Sequence, residues 1–319
     1  QVDIETWCQK NELGFTPKER DPEWLHAQLE SSLISLMNHC PRTLTDIANF
    51  IDHSLDPETP DQTDGVGMNP RFTSAGCCNT DSWQEGYMFA VELLRLLQTN
   101  LDVLERIYLL ETACAMQVLR TLAMQSSRIM DGETAITWPG YRFAISSPED
   151  KRAVVRRLSQ QSVKAVEKSI FKALRSEYVE LPEDQIVLKK TLKQADKAYG
   201  SKLFLGLSKR LGFVVPKRGS GARFILTEQL LRLLVVTTVP LGGRLTFDKF
   251  KFLLERRHGM VFDSPGLDIA SKWLSGKGIY LPADTDIWLQ EMLEAAGFLV
   301  HLSDSCALIE NPADIRKDV

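Results

Sequence analysis

The sequence predicts a mainly α-helical protein whose C-terminal half consists of two helical units, each closed by a β-hairpin. Several long segments repeat apolar residues at intervals of three or four positions, the period of a helix that buries one face. Two pairs of short apolar runs flank turn residues, which is the pattern of a β-hairpin. Of the 319 residues 44% are hydrophobic, enough to bury a large core.

The first predicted domain, residues 1–147, is all-α and acidic. Its predicted elements are helices over 22–39, 83–98 and 101–128 and a long loop over 54–82 that is rich in Pro, Gly and Asp. Asp21 precedes the first of these helices as an N-cap, and Pro22 occupies the first helical position, where a missing N–H costs nothing. A long loop of this kind favours a partner-binding surface.

The helix over 101–128 carries an apolar stripe at spacings of three and four residues. The stripe consists of Val103, Ile107, Leu110, Cys114, Val118 and Leu122. We expect the stripe to face the core and the Cys114 thiol to pack as a small apolar group.

Charge is divided unevenly along the chain, although the net charge is only −4. Residues 1–150 contain 10 Lys and Arg against 23 Asp and Glu, residues 151–257 contain 24 against 9, and residues 258–319 contain 4 against 10. Like charges gathered in one folded unit repel each other. Two interpretations follow: the acidic and basic parts dock on one another, or the basic part binds an external polyanion.

The second predicted domain, residues 148–226, is basic. Its predicted elements are helices over 148–178, 183–199 and 201–211 and a hairpin over 213–226. We expect Gly200 to end the second helix, Ser201 to cap the third, and Gly212 to end the third. A Gly-rich basic tip joins the two strands of the hairpin.

The third predicted domain, residues 227–319, repeats this order of elements. Its predicted elements are helices over 227–236, 246–258, 265–274 and 285–296, followed by a hairpin over 298–309. Thr227, Thr246 and Asp284 are the expected N-caps of three of these helices. The hairpin turn is Ser303-Asp304-Ser305.

The order of elements in the C-terminal half resembles a known fold. Residues 163–226 and 227–312 look like two winged-helix domains in tandem, a fold common in DNA-binding proteins and also found in subunit scaffolds. The run from Leu211 to Val235, LGFVVPKRGSGARFILTEQLLRLLV, is similar to parts of uncharacterised components of bacterial anti-phage defence operons. The resemblance implies a third helix in the major groove and a wing, the hairpin, on the neighbouring phosphate backbone.

The candidate nucleic-acid contacts lie on the helices and hairpin of the basic domain. They are Lys164, Lys168, Lys172, Lys202, Lys209, Arg210, Lys217, Arg218, Ser220 and Arg223. Gly219 and Gly221 allow the backbone of the wing to approach a phosphate closely. Most candidates are Lys, whereas guanine is read most often by Arg, so we expect largely nonspecific contact with double-stranded DNA, with RNA as a possibility.

The third domain carries the opposite charge on the corresponding surface. Its last helix holds Asp284, Asp286, Glu291 and Glu294, and Asp304 lies at its wing tip. A phosphate backbone would be repelled there, so we expect the acidic domains to contact protein partners. The sequence therefore predicts a non-catalytic DNA-binding or adaptor protein, or alternatively a scaffold subunit without nucleic-acid contact.

Catalytic and metal sites are not expected. The sequence lacks a P-loop, a G-x-G-x-x-G fingerprint, an H-E-x-x-H and a G-x-S-x-G motif. Glu149-Asp150-Lys151 offers the E-x-K element of metal-dependent nucleases, which leaves a cryptic nuclease as a third hypothesis. His39, Cys40, His53, Cys77 and Cys78 lack zinc-site spacing, so no metal or cofactor is expected.

The expected compartment is cytoplasmic. The six cysteines show no disulfide framework, which fits a reducing environment. No apolar run approaches the ~20 residues of a membrane span, so no membrane partner is expected.

Overall fold

Helices dominate the structure, and three small sheets lie among them, which confirms the predicted mainly helical class. The computed structural model describes residues 3–39, 41, 45, 83–130, 138–175, 184–281, 285–303 and 306–311. The helices are α1 (Ile4–Lys10), α2 (Pro22–His39), α3 (Trp83–Leu97), α4 (Val103–Met130), α5 (Ala153–Ala173), α6 (Gln185–Ala195), α7 (Gly206–Arg210), α8 (Glu228–Thr238), α9 (Phe247–His258), α10 (Ser264–Ser275) and α11 (Ile287–Ala295). None of these described helices is long and apolar enough to span a membrane.

The strands are short and belong to three separate sheets. They are β1 (Phe143–Ala144), β2 (Val214–Val215), β3 (Arg223–Phe224), β4 (Arg244–Thr246), β5 (Met260–Val261), β6 (Leu299–Ser303) and β7 (Cys306–Glu310). Strands β2 and β3 form an antiparallel hairpin, β1 and β5 pair in parallel, and the third sheet has the antiparallel order β4-β7-β6. Both predicted hairpins are present, whereas β4, β5 and the parallel pairing of β1 with β5 were not predicted.

The capping residues account for where several helices begin. The Asp21 carboxylate accepts a hydrogen bond of 3.0 Å from the N–H of Glu23, and α2 starts at the predicted Pro22. The hydroxyls of Thr227 and Thr246 accept the N–H groups of the third residue of α8 and of α9. These bonds satisfy N–H groups that the first turn of a helix leaves without a partner. The predicted cap Asp284 lies outside the described residues.

Helix α5 packs against α4, α10 and the strands β1 and β3. Two serines that are completely buried on α5 tie it to these strands. Ser159 Oγ accepts from the N–H of Phe224 at 2.8 Å, and Ser162 Oγ accepts from the N–H of Ala144 at 3.2 Å. The hairpin and α5 are therefore held together by hydrogen bonds as well as by apolar packing.

The second and third predicted helices of the basic domain are one continuous helix. Helix α6 runs directly into a π-helical segment, Asp196–Leu205, and then into α7. Gly200 and Ser201 lie inside this segment, so the predicted helix end and N-cap were wrong. Gly200 is required there for packing, because a Cβ at this position would overlap the ring of Phe171 on α5. Gly212 does follow the last helical turn, with φ of +70°.

Helix α5 begins five residues later than predicted, at Ala153. The preceding segment is a turn in which the Asp150 carboxylate accepts from the N–H of Arg152 at 2.8 Å. The Arg223 guanidinium also donates to the carbonyls of Ser147 at 3.0 Å and Pro148 at 2.7 Å. Carbonyls engaged in this way are not available for a first helical turn.

The buried face of α4 coincides only in part with the predicted stripe, since Leu110 and Leu122 pack against the core. Cys114 and Val118 are exposed, Val118 at 38%, whereas Leu109, Met116 and Leu119 are buried. The core-facing side also contains the buried guanidinium of Arg120, which pairs with Glu92 on α3. A charged residue that faces the core is invisible to a search for apolar periodicity, and this is why the predicted face was partly wrong.

One cluster of buried apolar side chains runs through all three predicted domains. It includes Leu96 of the first, Val163 of the second and Leu231 of the third. The predicted boundaries at 147 and 226 therefore do not separate independent cores, although the division into domains itself stays a prediction.

Buried charges join the N-terminal helices to α8. Arg95 on α3 donates to Glu19 at 2.6 and 2.7 Å and to the carbonyls of Thr237 and Thr238 at 3.1 and 2.5 Å. The neighbouring guanidinium lowers the pKa of Glu19 although burial opposes this effect. The last carbonyls of α8 are thus satisfied by a side chain from another layer.

Arg257 on α9 extends the same network and is completely buried. Its guanidinium donates to the carbonyls of Leu13 at 2.7 Å, Thr237 at 3.2 Å and Gly14 at 3.3 Å, and it stacks on the Phe15 ring at 4.7 Å. Burial and the nearby Arg95 lower the pKa of Arg257 to about 9. It therefore stays charged at neutral pH and holds the chain after α1 against α8 and α9.

His258, the next residue, faces the Glu92–Arg120 pair. Its Nε2 lies 3.4 Å from a Glu92 carboxylate oxygen. Burial lowers the pKa of His258 to about 4, with Arg120 and Arg257 acting in the same direction and Glu92 in the opposite one. The imidazole is therefore neutral at pH 7.

We expect Arg257→Met to destabilise the fold by roughly 3 kcal/mol, because three buried carbonyls lose a charged donor. Urea unfolding followed by circular dichroism measures the change. Arg244→Met is the control, since the Arg244 side chain is exposed and its ion pair with Glu310 should contribute about 1 kcal/mol or less. Equal losses in the two variants would contradict the structural role of Arg257.

We expect acid to weaken the fold through His258. An unfolded histidine titrates near pH 6.5, so between about pH 6.5 and pH 4 the unfolded chain binds the extra proton and is favoured. The free energy of unfolding should fall by about 2 kcal/mol from pH 7 to pH 5 through this group. Urea titrations of the wild type and His258→Gln measure the difference, and the same pH dependence in both would refute the assignment.

Candidate nucleic-acid interface

The tip of the β2–β3 hairpin is an exposed basic turn. Lys217, Arg218 and Ser220 all lie on the surface. Gly219 and Gly221 have φ of +91° and +84°, a conformation that L-residues avoid, so both glycines are required by the turn. The tip therefore presents two cations and a hydroxyl on a short loop whose shape is set by glycine.

The hairpin lies along the N-terminal half of α5. A Cβ at Gly221 would stand 3.4 Å from the side-chain nitrogen of Gln160, and Phe224 is hydrogen-bonded to Ser159. Arg156, one turn earlier on α5, is close enough to lower the pKa of Arg223. The basic tip and the first turns of α5 thus form adjoining parts of one surface.

Arg223 has a different role from the other candidates. Its guanidinium is half-buried and donates to Ser146 Oγ at 2.7 Å, besides its bonds to the carbonyls of Ser147 and Pro148. Burial is the main cause of its lowered pKa. The side chain ties the hairpin to the turn before α5, which leaves little of it for a phosphate.

The exposed face of α5 is basic along its length. Lys164, Lys168 and Lys172 are exposed at spacings of four residues. Arg157, seven residues before Lys164, continues the same face and is also exposed, as is Arg156 beside it. The two arginines were missed, although the helical spacing of the lysines extends to Arg157 and was sufficient to find it.

Helix α7 adds two further cations next to this face. Lys209 is half-buried and Arg210 is exposed. Glu167 lies between α7 and α5. Burial raises the pKa of its carboxyl group, and the nearby Lys209 and Lys164 offset part of this rise. The carboxylate therefore marks where the two helices bring their lysines together.

Lys202 and Lys172 lie at the other end of the surface. Lys202 is exposed on the π-helical segment, which is joined to the end of α5 by the Arg175–Asp196 ion pair at 2.7 Å. The rise of a helix places Lys172 about 24 Å from Arg156 along α5. A surface of this length spans several base pairs of duplex DNA. Lys202 and the hairpin tip lie at its opposite ends.

The cations of this surface differ in their pairing from the arginines of the N-terminal helices. Among the described residues, no carboxylate forms an ion pair with Lys164, Lys168, Lys202, Lys209, Arg210, Lys217 or Arg218. In the acidic N-terminal helices, by contrast, Arg95, Arg120 and Arg128 are each paired with a buried glutamate. The N-terminal layer thus uses its cations internally, while the basic surface keeps its cations toward solvent.

The C-terminal unit presents acidic side chains. Glu291 and Glu294 are exposed on α11, and Glu294 lies 3.8 Å from His301 on β6. Asp286 is instead buried and pairs with Lys251 at 2.5 Å. Asp304, at the turn of the second hairpin, lies outside the described residues.

The alternative metal and catalytic sites receive little support from the described part of the chain. Asp150 of the E-x-K element is buried and pairs with Arg152 at 3.0 Å, while Glu149 is exposed. No group of three or more His, Cys, Asp and Glu among the described residues is arranged to hold a metal ion. Cys40, His53, Cys77 and Cys78 lie outside those residues.

Comparison of the chain with models of protein families, with curated proteins and with solved structures found no match.

Proposed function

We propose that the protein is a non-catalytic DNA-binding or adaptor protein that contacts the phosphate backbone through the basic surface of α5, α7 and the β2–β3 hairpin. The observation that carries this proposal is the clustering of exposed cations on α5, α7 and the hairpin tip, among which Glu167 is the carboxylate that lies near Lys164 and Lys209. Cations gathered on one surface repel each other. A nucleic acid that binds there relieves this repulsion, and the cations release the counterions condensed on its phosphates. The proposed contacts now include Arg156 and Arg157.

The winged-helix interpretation remains part of this proposal. It is supported in the C-terminal unit by the strand order β4-β7-β6, since β4 lies between two helices and pairs with the last strand of the hairpin. In the basic unit the same interpretation requires an adjustment, because α6, the π-helical segment and α7 form one continuous helix. A separate third helix for the major groove is absent from the described part of this unit.

The mode of binding we propose is largely independent of base sequence. Lysine is a point charge on a flexible stem and suits phosphate contacts more than the reading of base edges. Arg210, the last residue of α7, is exposed, whereas the Arg223 guanidinium is hydrogen-bonded to backbone carbonyls of the protein. A partner protein, bound to the acidic surfaces, would then supply site selection, and the setting we propose is a bacterial defence complex.

We expect Lys217→Glu combined with Arg218→Glu to weaken binding to duplex DNA about tenfold or more, because two phosphate contacts become repulsive. Fluorescence anisotropy at several salt concentrations measures this. If about four to six cations reach phosphates, the wild type should show a slope of log affinity against log salt of roughly −4 to −5, and the variant a shallower slope.

Glu291→Lys combined with Glu294→Lys is the matched control, since it changes two exposed charges on the C-terminal unit. This variant should bind DNA as well as the wild type or more tightly. Equal losses in the two double variants, or wild-type binding that does not respond to salt, would refute the proposal. Failure of the wild type to bind DNA at low salt would leave the scaffold function as the better explanation.

We propose that Arg223 is a positioning residue for the hairpin. Arg223→Ala should lower the free energy of unfolding by about 1–3 kcal/mol, because the carbonyls of residues 147 and 148 lose their donor. Lys217→Ala should change stability by only about 0.5 kcal/mol or less while lowering DNA affinity. Urea unfolding and DNA titration of both variants test this, and a fully stable Arg223→Ala protein would contradict it.

A further inference from the structure

The described part of the chain leaves most of the apolar surface of helix α6 uncovered. Every residue of α6 is exposed or half-exposed, with Ile186 at 81% and Val187 at 49% of full exposure. A groove along the helix is lined by Ile186, Leu188 and Leu192. The main contacts of α6 are with the π-helical segment that continues it. An amphipathic helix with such a face is typical of a docking element.

The charge of α6 indicates what it docks on. Lys189, Lys190 and Lys193 are exposed, and residues 185–195 contain no acidic side chain. The flanking Asp184 is engaged as the N-cap, since its carboxylate accepts from the N–H of Ile186 at 2.7 Å. The complementary surface is therefore apolar at its centre and acidic around it.

The protein carries such a surface on α4. Leu104, Tyr108, Glu111, Cys114 and Val118 lie on one side of this helix and are exposed, with Leu104 at 66% and Tyr108 at 55%. The last two belong to the stripe that the sequence assigned to the core. The rest of α4 packs against α3, α5, α7 and α8.

The surroundings of this α4 face are acidic. Asp102, Glu105 and Glu228 lie close to it, and Arg232 is the cation that pairs with the two glutamates. The Tyr108 hydroxyl donates to Gln229 Oε1 at 2.9 Å, which fixes the ring at the surface. With Glu111 exposed on the helix itself, the face has a negative balance that the lysines of α6 complement.

We propose that α6 of one copy of the protein docks on the α4 face of a second copy. The two faces match in length, since α6 extends about 16 Å and the α4 face from Leu104 to Val118 about 21 Å. No described residue of the same chain covers either face, and the opposite charges of the two faces identify a second copy as the occupant we assign. Because the two surfaces differ, the contact is head-to-tail, and it either closes into a ring or grows.

Two single-sided variants test the proposal without nucleic acid present. Ile186→Glu with Lys189→Glu disables α6, and Leu104→Lys with Glu111→Lys disables the α4 face. All four positions are exposed, and circular dichroism verifies the fold of each variant. Sedimentation velocity at up to about 100 µM protein, where an interface of micromolar Kd is largely occupied, should show assemblies for the wild type and monomers for each variant alone.

An equimolar mixture of the two variants should form a 1:1 dimer and nothing larger, because one intact α6 and one intact α4 face remain. Tyr280→Glu, at a fully exposed site elsewhere, is the control and should assemble like the wild type. A monomeric wild type, a mixture that stays monomeric, or a variant that still assembles by itself would overturn the proposal. None of these outcomes depends on whether the protein binds DNA.

Discussion

The arrangement of the layers depends on two buried arginines, Arg95 on α3 and Arg257 on α9, which meet at the C-terminal end of α8. Arg95 and Arg257 both donate to the carbonyl of Thr237, and each also reaches the N-terminal chain, one through Glu19 and the other through the carbonyl of Leu13. Burial of a guanidinium is costly unless its donors are satisfied. The two side chains therefore require the N-terminal helices to lie in one position against α8 and α9, and departures from it leave charged groups unpaired.

This constraint fixes the basic surface as well. Helix α4 packs on α3, which carries Arg95, and α5 packs on α4. The hairpin is bound to α5 through Ser159, and the turn before α5 is bound to the hairpin through Arg223. The position of the hairpin tip is therefore set by a series of buried contacts that starts at the N-terminal layer. The acidic N-terminal helices therefore pack on the side of α5 away from the basic surface, and the cations of this surface remain exposed to solvent.

Local features of the sequence predicted the elements well and the contacts between them poorly. The caps Asp21, Thr227 and Thr246 and the glycine-containing hairpin tip act within a few residues, so α2, α8, α9 and the first hairpin were correctly predicted. The end of a helix at Gly200 was wrong because the glycine accommodates Phe171 from another helix. The basic cluster could be found by counting charges, but the engagement of Arg223 depends on carbonyls about 75 residues away in sequence. Pairing at such separation leaves no local pattern.

The π-helical segment joins the two surfaces that we propose for the basic region, the cations of α5 and α7 and the apolar face of α6. Phe171 against Gly200 and the Arg175–Asp196 ion pair hold this segment on the end of α5, so Lys209 of α7 lies beside Lys164 of α5. The same helix continues toward the N-terminus as α6, whose residues are all exposed or half-exposed. An isolated helix of this length is marginally stable in water. The covering of its apolar side by a second copy would stabilise it, whereas the lysines on α5 gain nothing from such a contact and stay available for a polyanion.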